Sequence, residues 1–487
     1  MDTARPNLLY IHSDQHSPFV TGCYGDQVVE TPNLDALAAR GAVLKNVYCP
    51  SPICVPSRMA MLTGRFPYEN EVWTNSQILD SGIPTFAHAM GAAGYDPVLI
   101  GRMHSNGPDQ LHGYAERLVG DHGPNFPGGG GANHGMLSGT AGPNRISIRK
   151  SGIGQSAYQL HDEDVTAATV CCLNRLGTQI RTGTTSKPFS ISVGFMLPHQ
   201  PFVAKREDYE RFDGRVPPPL TPGPYSDSLH PHFRKWRKEC GIASDIPVDQ
   251  IQRARTSYWA LVYRMDVMIG QILDALRENG FEENTLVIYS SDHGEQVGEH
   301  GLWWKQTFYD DSAKVPAILA WPDHIAEGSR IDRIISSLDI NATMIDALGG
   351  TALPTSRGRS LIPLFAEQES PDWEDIAFSE FCTEDGSQQR MVRLGPWKLC
   401  YYHNQTSQLF NLEEDPRETN DRIADPDCRE IVADLRSRVL EGWDPDNIWE
   451  KIQTKKKETG ILARWTRNTR PPDTHRWNLR PEMDYLE

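Results

Sequence analysis

Five short apolar runs, at residues 7–13, 96–100, 189–195, 285–290 and 315–321, have the length and composition of buried strands. Helical patterns lie between them. One opens with Thr31 as cap and Pro32 in the first turn, carries Leu34, Leu37 and Ala38 on one face, and stops at Gly41. A longer one covers residues 251–279, with Tyr258, Leu261, Val262, Met265, Ile269, Ile272, Leu273 and Leu276 on its stripe and Gly280 beyond its end. Strands alternating with helices predict an α/β fold, a mainly parallel sheet sandwiched by helices.

Two connections are longer than simple turns. Residues 119–156, with consecutive glycines at 128–131, and residues 204–248, rich in Pro, Arg and Asp, are expected to form substrate walls or oligomer contacts. After about residue 370 the pattern changes: runs at 391–402 and 408–412 read as small antiparallel strands and 427–440 as a helix. The expected organisation is a large α/β domain at 1–370, a smaller α+β subdomain at 371–450, and an extended tail at 451–487 long enough to reach a neighbour. That tail is the ground for expecting a homo-oligomer, a dimer or a tetramer.

Composition narrows the functional classes. The 487 residues carry a formal net charge of −16, which argues against a general polyanion-binding surface, so nucleic acid is not an expected partner. An anionic ligand must instead be held by a small local cluster of cations. No stretch approaches the ~18 apolar residues of a membrane span, and the polar start leaves no room for a secretory leader. A cytoplasmic protein with no membrane partner is expected. Nine scattered cysteines suit reduced thiols better than a disulfide framework or a zinc ribbon.

Candidate chemistry follows the strands. Asp14 and Gln15 follow the first run, Arg102 and His104 the second, His199 the third, and Asp292 and His293 the fourth. Each alone reads better as a turn former or a satisfied surface group. Together, beyond the carboxyl ends of strands in an open α/β sheet, they are expected to meet in one crevice. Asp14, Asp292 and His293 offer two hard oxygen ligands and an imidazole, a set suited to Ca²⁺, Mg²⁺ or Mn²⁺ and poor for structural zinc. The most specific signal is Cys54-Val55-Pro56-Ser57-Arg58, followed by Thr63-Gly64-Arg65. Pro56 suits a first helical turn, which puts Cys54 at a helix N-terminus where unpaired N–H groups favour an anion.

These residues resemble the type I sulfatases, whose signature is C-x-P-S-R followed by Thr-Gly-Arg. The likeness extends to Thr31-Pro32-Asn33-Leu34-Asp35, Gly101-Arg102-Met103-His104, Pro198-His199-Gln200-Pro201, Ser291-Asp292-His293-Gly294-Glu295, Lys305 and Trp397-Lys398. The run Gly107-Pro108-Asp109-Gln110-Leu111-His112-Gly113 is similar to the choline-sulfatase and arylsulfatase branch. Arg102 departs from the usual lysine, and the tail departs from the choline-sulfatase ending.

The resemblance implies an alkaline-phosphatase-like mixed sheet and hydrolysis of an aryl, alkyl or carbohydrate sulfate monoester. It implies that Cys54 is oxidised to formylglycine by a formylglycine-generating enzyme, and that one divalent metal, Ca²⁺ first, is held by Asp14, Asp292, His293 and residue 54. Arg58, Arg102 and Lys305 would neutralise sulfuryl oxygens, with Gln15 and Asn75 as neutral donors. His199 or Lys305 would protonate the leaving alcohol, and His104 would act as base. The nearest rival is a phosphonate monoester or phosphodiester hydrolase of the same superfamily. It ranks second because Arg102 and His104 keep the sulfatase pairing of a cation with an imidazole. A non-catalytic sulfate- or glycan-binding protein would need a missing core residue, and none is missing.

Overall fold

The computed structural model describes residues 5–222, 229–366 and 372–487. Its centre is β1 (Asn7–Asp14), buried throughout and hydrogen-bonded in parallel to its two neighbours in the main sheet. The other main strands are β2 (Ala42–Tyr48), β3 (Pro97–Gly101), β4 (Ser190–Pro198), β5 (Thr285–Ser291), β6 (Ala317–Ala320) and β7 (Ser329–Ser336). Their order is β7-β2-β6-β5-β1-β4-β3, with the short strand Glu116–Arg117 beyond β3. Only β6 and the adjoining Lys314–Val315 run against the rest.

Helices cover both faces of this sheet, which is why its central strands read as continuous apolar runs rather than alternating ones. The main helices are α1 (Pro32–Ala39), α2 (Cys54–Thr63), α3 (Ala157–Arg181), α4 (Val248–Glu278) and α5 (Ser337–Ala347). Leu9 and Ile11 of β1 pack into one core with apolar residues of α1, α3 and α4. Leu8 and Tyr10 pack into the other core with Met59 and Leu62 of α2 and Met344 of α5. The fold is the α/β arrangement expected, a mixed, mainly parallel sheet between helical layers.

Several local expectations need correction. Thr31 does not cap α1 with its side chain: its hydroxyl accepts from Gly22 N at 2.9 Å and donates to Asp35. The buried carboxylate of Asp266 on α4 takes over, accepting from Asn33 N at 3.1 Å and Leu34 N at 2.8 Å. Gly41 does not close the helix either, which ends on Arg40. It permits a close approach, since a Cβ there would lie 2.1 Å from Leu319 O. The run at 315–321 divides at Pro316, which has no N–H for the ladder. Strands β2 and β7 escaped the apolar search because Lys45, Asn46, Arg330 and Asp332 interrupt them; β7 lies at the sheet edge, where such residues reach solvent.

A second, antiparallel sheet follows in sequence order: β8 (Ile376–Cys382), β9 (Gln388–Leu394), β10 (Trp397–Tyr402) and β11 (Gln408–Asn411), packed against α6 (Arg429–Leu440). The expected boundary at residues 370 and 371 lies outside the described residues. The expectation of an extended tail from residue 451 fails over its first half. Residues 451–469 belong to the 25-residue helix α7 (Pro445–Thr469). Asp444 starts α7 by accepting from Asp446 N and Asn447 N, and Ile448 and Ile452 anchor it to the second core. The chain then folds back, so that Tyr485–Leu486 pairs with Gly152–Gln155. No helix among the described residues is long and apolar enough to cross a membrane.

The two sheets are joined by a buried ionic contact. Lys398 of β10, 0 % exposed, donates to Asp310 at 2.6 Å and Glu418 at 2.7 Å. Lys398→Met removes the cation and leaves both carboxylates facing each other in a dry seam. It should cost about 3–5 kcal/mol in urea unfolding at neutral pH. Burial, opposed by Lys398, already sets the Glu418 carboxyl near about 7, so protonation as the pH falls should relieve part of the variant's deficit.

Candidate active site

Helix α2 begins at Cys54, and every residue of it is buried. Its first turn is held by neighbours: Val55 N donates to Asn75 Oδ1 at 3.0 Å, and Ser57 Oγ donates to Asp292 O at 2.6 Å. Residues four apart share a helix face, so Arg58 lies one turn below Cys54 on the side of the strand ends. There it meets two carboxylates. Arg58 Nε lies 2.8 Å from Asp292 Oδ2, and its second terminal nitrogen 3.2 Å from Asp14 Oδ2.

Asp14 ends β1 and Asp292 follows β5, and the parallel pairing of these strands brings the two together. Both are fully buried, which would be prohibitive for like charges without cations close by. Burial and the facing Cys54 push the Asp14 carboxyl up, but Arg102, His199 and Arg58 outweigh them and hold it well below the usual carboxylate range. Burial dominates at Asp292 and raises its pKa despite Arg58.

The arginines take the Oδ2 atoms, Arg102 Nε approaching Asp14 Oδ2 to 2.6 Å. That leaves the Oδ1 atoms turned toward His293 Nε2, at 3.7 Å from Asp14 and 3.6 Å from Asp292. His293 Nδ1 lies 3.1 Å from Gly294 O, a contact that fixes the tautomer with the Nε2 lone pair free. Ligand atoms of Asp14, Cys54, Asp292 and His293 all lie within 4.8 Å of one another. Two carboxylates and an imidazole in this arrangement fit a hard divalent cation.

Cys54 Sγ sits 3.0 Å from Lys305 Nζ, 3.2 Å from His293 Nε2 and 3.6 Å from Asp14 Oδ1. Burial alone would raise the thiol pKa. Lys305 and His293, with hydrogen bonds from His104 and His199, bring it well below the usual value, so the pocket favours negative charge at residue 54. Lys305 also donates to Gln15 Oε1 at 2.6 Å, while Gln15 Nε2 donates to Gln200 Oε1 at 2.6 Å.

The sequence-predicted residues therefore come together. Cys54, Arg102, His104, His199, Lys305 and Asn75 line one cavity of about 200 Å³. Asp14, Asp292 and His293 gather behind Cys54, and Gln15 accepts from Lys305. Arg58 is the one set apart. It is 0 % exposed, and its donors are taken by the two carboxylates, Ser13 O, Arg102 O and His12 Nδ1. Its geometry suits positioning the carboxylates rather than touching a ligand.

Sequence reasoning missed several partners. Asp121 accepts from Arg102 at 3.0 Å, from Arg117 at 2.9 Å and from His104 N at 2.7 Å, locking both Arg102 and the His104 backbone. His122, Tyr158 and Gln306 line the cavity, as do Ala141, Gly142 and Pro143. Four of these six come from the 119–156 connection, which therefore forms part of the cavity wall. Glu295 accepts from Val297 N at 2.9 Å, Trp304 N at 2.6 Å and Gln15 Nε2. One available signal was its place within the Asp-His-Gly-Glu run. Left-handed backbone at Gln15, His104, Val297, Trp304 and Gln306 clusters around the same point, the kind of strain that packing must hold in place.

A sulfatase family model matches residues 6–350, and a model for the C-terminal part of N-sulphoglucosamine sulphohydrolase matches residues 298–443. A choline-sulfatase of Rhizobium meliloti (strain 1021) is 31 % identical over 492 residues, covering 96 % of this chain and 93 % of the relative. Arylsulfatase K of Danio rerio is 28 % identical over 469 residues, covering 89 % and 84 %. In structure, the phosphonate monoester hydrolase of Agrobacterium radiobacter superposes with a TM-score of 0.74 at 24 % identity, covering 90 % of this chain and 95 % of the other.

Glu295→Ala should strand three buried donors and release the loop that carries Lys305. Its expected cost is about 2–5 kcal/mol in thermal or urea unfolding, with kcat/KM lowered about 100-fold as Lys305 loses its place.

Proposed function

The chain belongs to the sulfatase family and is a sulfuric ester hydrolase, and we propose that its nucleophile is residue 54, Cys54 oxidised to formylglycine by a formylglycine-generating enzyme. The observation that carries this reading is the meeting of Cys54, which lines the cavity, with Asp14, Asp292, His293 and Lys305. Asp14, Asp292, His293 and residue 54 would hold a divalent cation, Ca²⁺ by preference, because the site offers hard oxygens and no second soft ligand. Bound there, it would supply Lewis-acid polarisation of a sulfuryl oxygen and lower the pKa of a neighbouring hydroxyl.

The chain's own groups account for the remaining steps. The hydrated aldehyde at residue 54 offers two hydroxyls on one carbon, and one attacks sulfur while the S–O bond to the alcohol breaks. Arg102 and Lys305 neutralise the sulfuryl oxygens, and Gln15 and Asn75 stand beside them as polar neighbours. His199 or Lys305 gives a proton to the departing alkoxide. Burial pushes the His199 pKa down, and Lys305 pushes it further, so the protonated imidazole that could serve here gains population as the pH falls. His104 then takes the proton of the second hydroxyl, the carbonyl re-forms, and sulfate leaves without water attacking sulfur.

The cavity also speaks to the alcohol. Its described lining includes Arg102 and Lys305 but no carboxylate, and Tyr158 is its only phenol ring. A quaternary ammonium would find no counter-ion there, so a neutral aryl, alkyl or carbohydrate alcohol is the better fit. The exposed Ile461, Leu462 and Trp465 on α7 suit a homo-oligomer contact, dimeric or tetrameric. The nine free cysteines suit a reducing, cytoplasmic setting. A phosphonate monoester hydrolase is the second reading, favoured by the structural likeness to that enzyme.

Cys54→Ala should retain the fold and lose turnover of 4-nitrophenyl sulfate to below one part in about 10⁴. Peptide mass analysis of matured wild type should find residue 54 oxidised to the aldehyde; a persistent thiol in a fully active preparation removes the nucleophile assignment. Chelation should abolish activity, with Ca²⁺ restoring it better than Mg²⁺ or Mn²⁺. In kcat/KM, 4-nitrophenyl sulfate should exceed both choline sulfate and an aryl phosphonate monoester, and a phosphonate preference would reverse the ranking.

A further inference from the structure

Where the antiparallel sheet meets the main body, Arg357, Arg359, Arg390 and Arg438 line a cavity of about 490 Å³. It shares no lining residue with the catalytic cavity. We propose that this seam cavity is a second binding site, for a tetrahedral oxyanion and sulfate above all, built on the guanidiniums of Arg390 and Arg359, neither of which is ion-paired among the described residues.

Arg390, on β9, is 3 % exposed yet forms no ion pair among the described residues. One terminal nitrogen donates to Val439 O at 2.9 Å and Glu441 O at 3.4 Å, while its Nε has no partner. Three rings surround it, with its Cζ 4.7 Å from the Phe378 centroid, 5.0 Å from Tyr68 and 5.6 Å from Phe66. Glu380 is the carboxyl that acts on it most strongly. Both of its oxygens are occupied, by Tyr68 N and Trp443 Nε1 at 2.5 Å each, and burial pushes its pKa up to about 7, so it compensates Arg390 only in part.

Arg359 is stacked on Trp373 at 3.9 Å and donates to Glu374 O at 3.1 Å, again with no ion pair among the described residues. The nearby Asp339 carboxyl is occupied by Ser336 N and Arg359 N. Arg357 and Arg438 are paired, with Glu69 and with Glu374 and Asp434. Asp339, Glu374 and Glu441 also line the cavity, yet neither guanidinium has a carboxylate at ion-pair distance among the described residues, and for the buried Arg390 that lack is costly. An oxyanion accepting from their forked donors removes that cost. The cavity is larger than sulfate, and the rings of Phe66, Tyr68 and Phe378 leave room for an apolar ester group. The occupant is therefore either free sulfate, such as the reaction releases, or a second molecule of sulfate ester.

Titration calorimetry of the full chain with sodium sulfate against a chloride background tests this. Wild type should bind at two sites, and Arg102→Gln should lose only the catalytic one. Arg359→Gln, at a half-exposed rim position, should weaken the other about tenfold or more while leaving Tm and kcat nearly unchanged. Arg390→Gln should act in the same direction, and Arg359→Gln decides the matter where that variant does not fold. Sulfate binding that vanishes entirely with Arg102→Gln, or that ignores Arg359→Gln, overturns the proposal. A failed catalytic assignment would look different: one site only, sensitive to Arg359→Gln and indifferent to Arg102→Gln. Titrating Cys54→Ala with 4-nitrophenyl sulfate identifies the source. Tighter binding than sulfate at the Arg359-dependent site assigns it to the ester, and weaker binding assigns it to the free anion.

Discussion

Two carboxylates held side by side in a buried sheet end govern the architecture of this molecule. Asp14 and Asp292 reach that position because β1 and β5 pair in parallel, and their repulsion must be balanced from within the protein. Arg58 and Arg102 supply the balance from one side, one carried by the nucleophile helix and the other by the end of β3. The opposite side, facing Cys54 and His293, is where the proposed divalent ion would complete the charge. Position of the helix, choice of strand neighbours and reactivity of residue 54 are thus consequences of a single electrostatic problem.

The C-terminal elements bear on that centre more closely than their distance in sequence suggests. Trp477 N donates to Asp121 O at 2.9 Å, reaching the same residue whose carboxylate fixes Arg102 and His104. Asp484 accepts from Ala157 N at 2.6 Å and pairs with His134, stitching the chain end to the start of α3 and to the wall beside Tyr158. The last residues therefore brace the cavity wall within their own subunit.

Much of the centre was legible in the sequence because its chemistry falls on rigid punctuation. Residues just past a buried strand have nowhere to go but the sheet's carboxyl edge, so Asp14, Arg102, His199 and Asp292 could be gathered without coordinates. Asp121 and Tyr158 could not, since they sit in or beside a long connection whose path depends on contacts with the chain end. Strands β2 and β7 were hidden by polar and charged residues, which β7 tolerates at the sheet edge. Arg58 was legible as a member of the site but not in its surroundings: a motif names a side chain, whereas only packing reveals that every donor is already engaged.

One feature of α2 constrains the life history of the protein. All ten of its residues are buried and Cys54 is 1 % exposed, at the foot of a cavity that admits a small ester but not the active site of another enzyme. The proposed maturing enzyme would therefore need an extended stretch of chain, and so would act on the nascent or unfolded polypeptide. Under the proposed oxidation of Cys54, folding and maturation would compete in time: a molecule that folded first would be sealed as a thiol, and the active fraction of a preparation would record the outcome of that race.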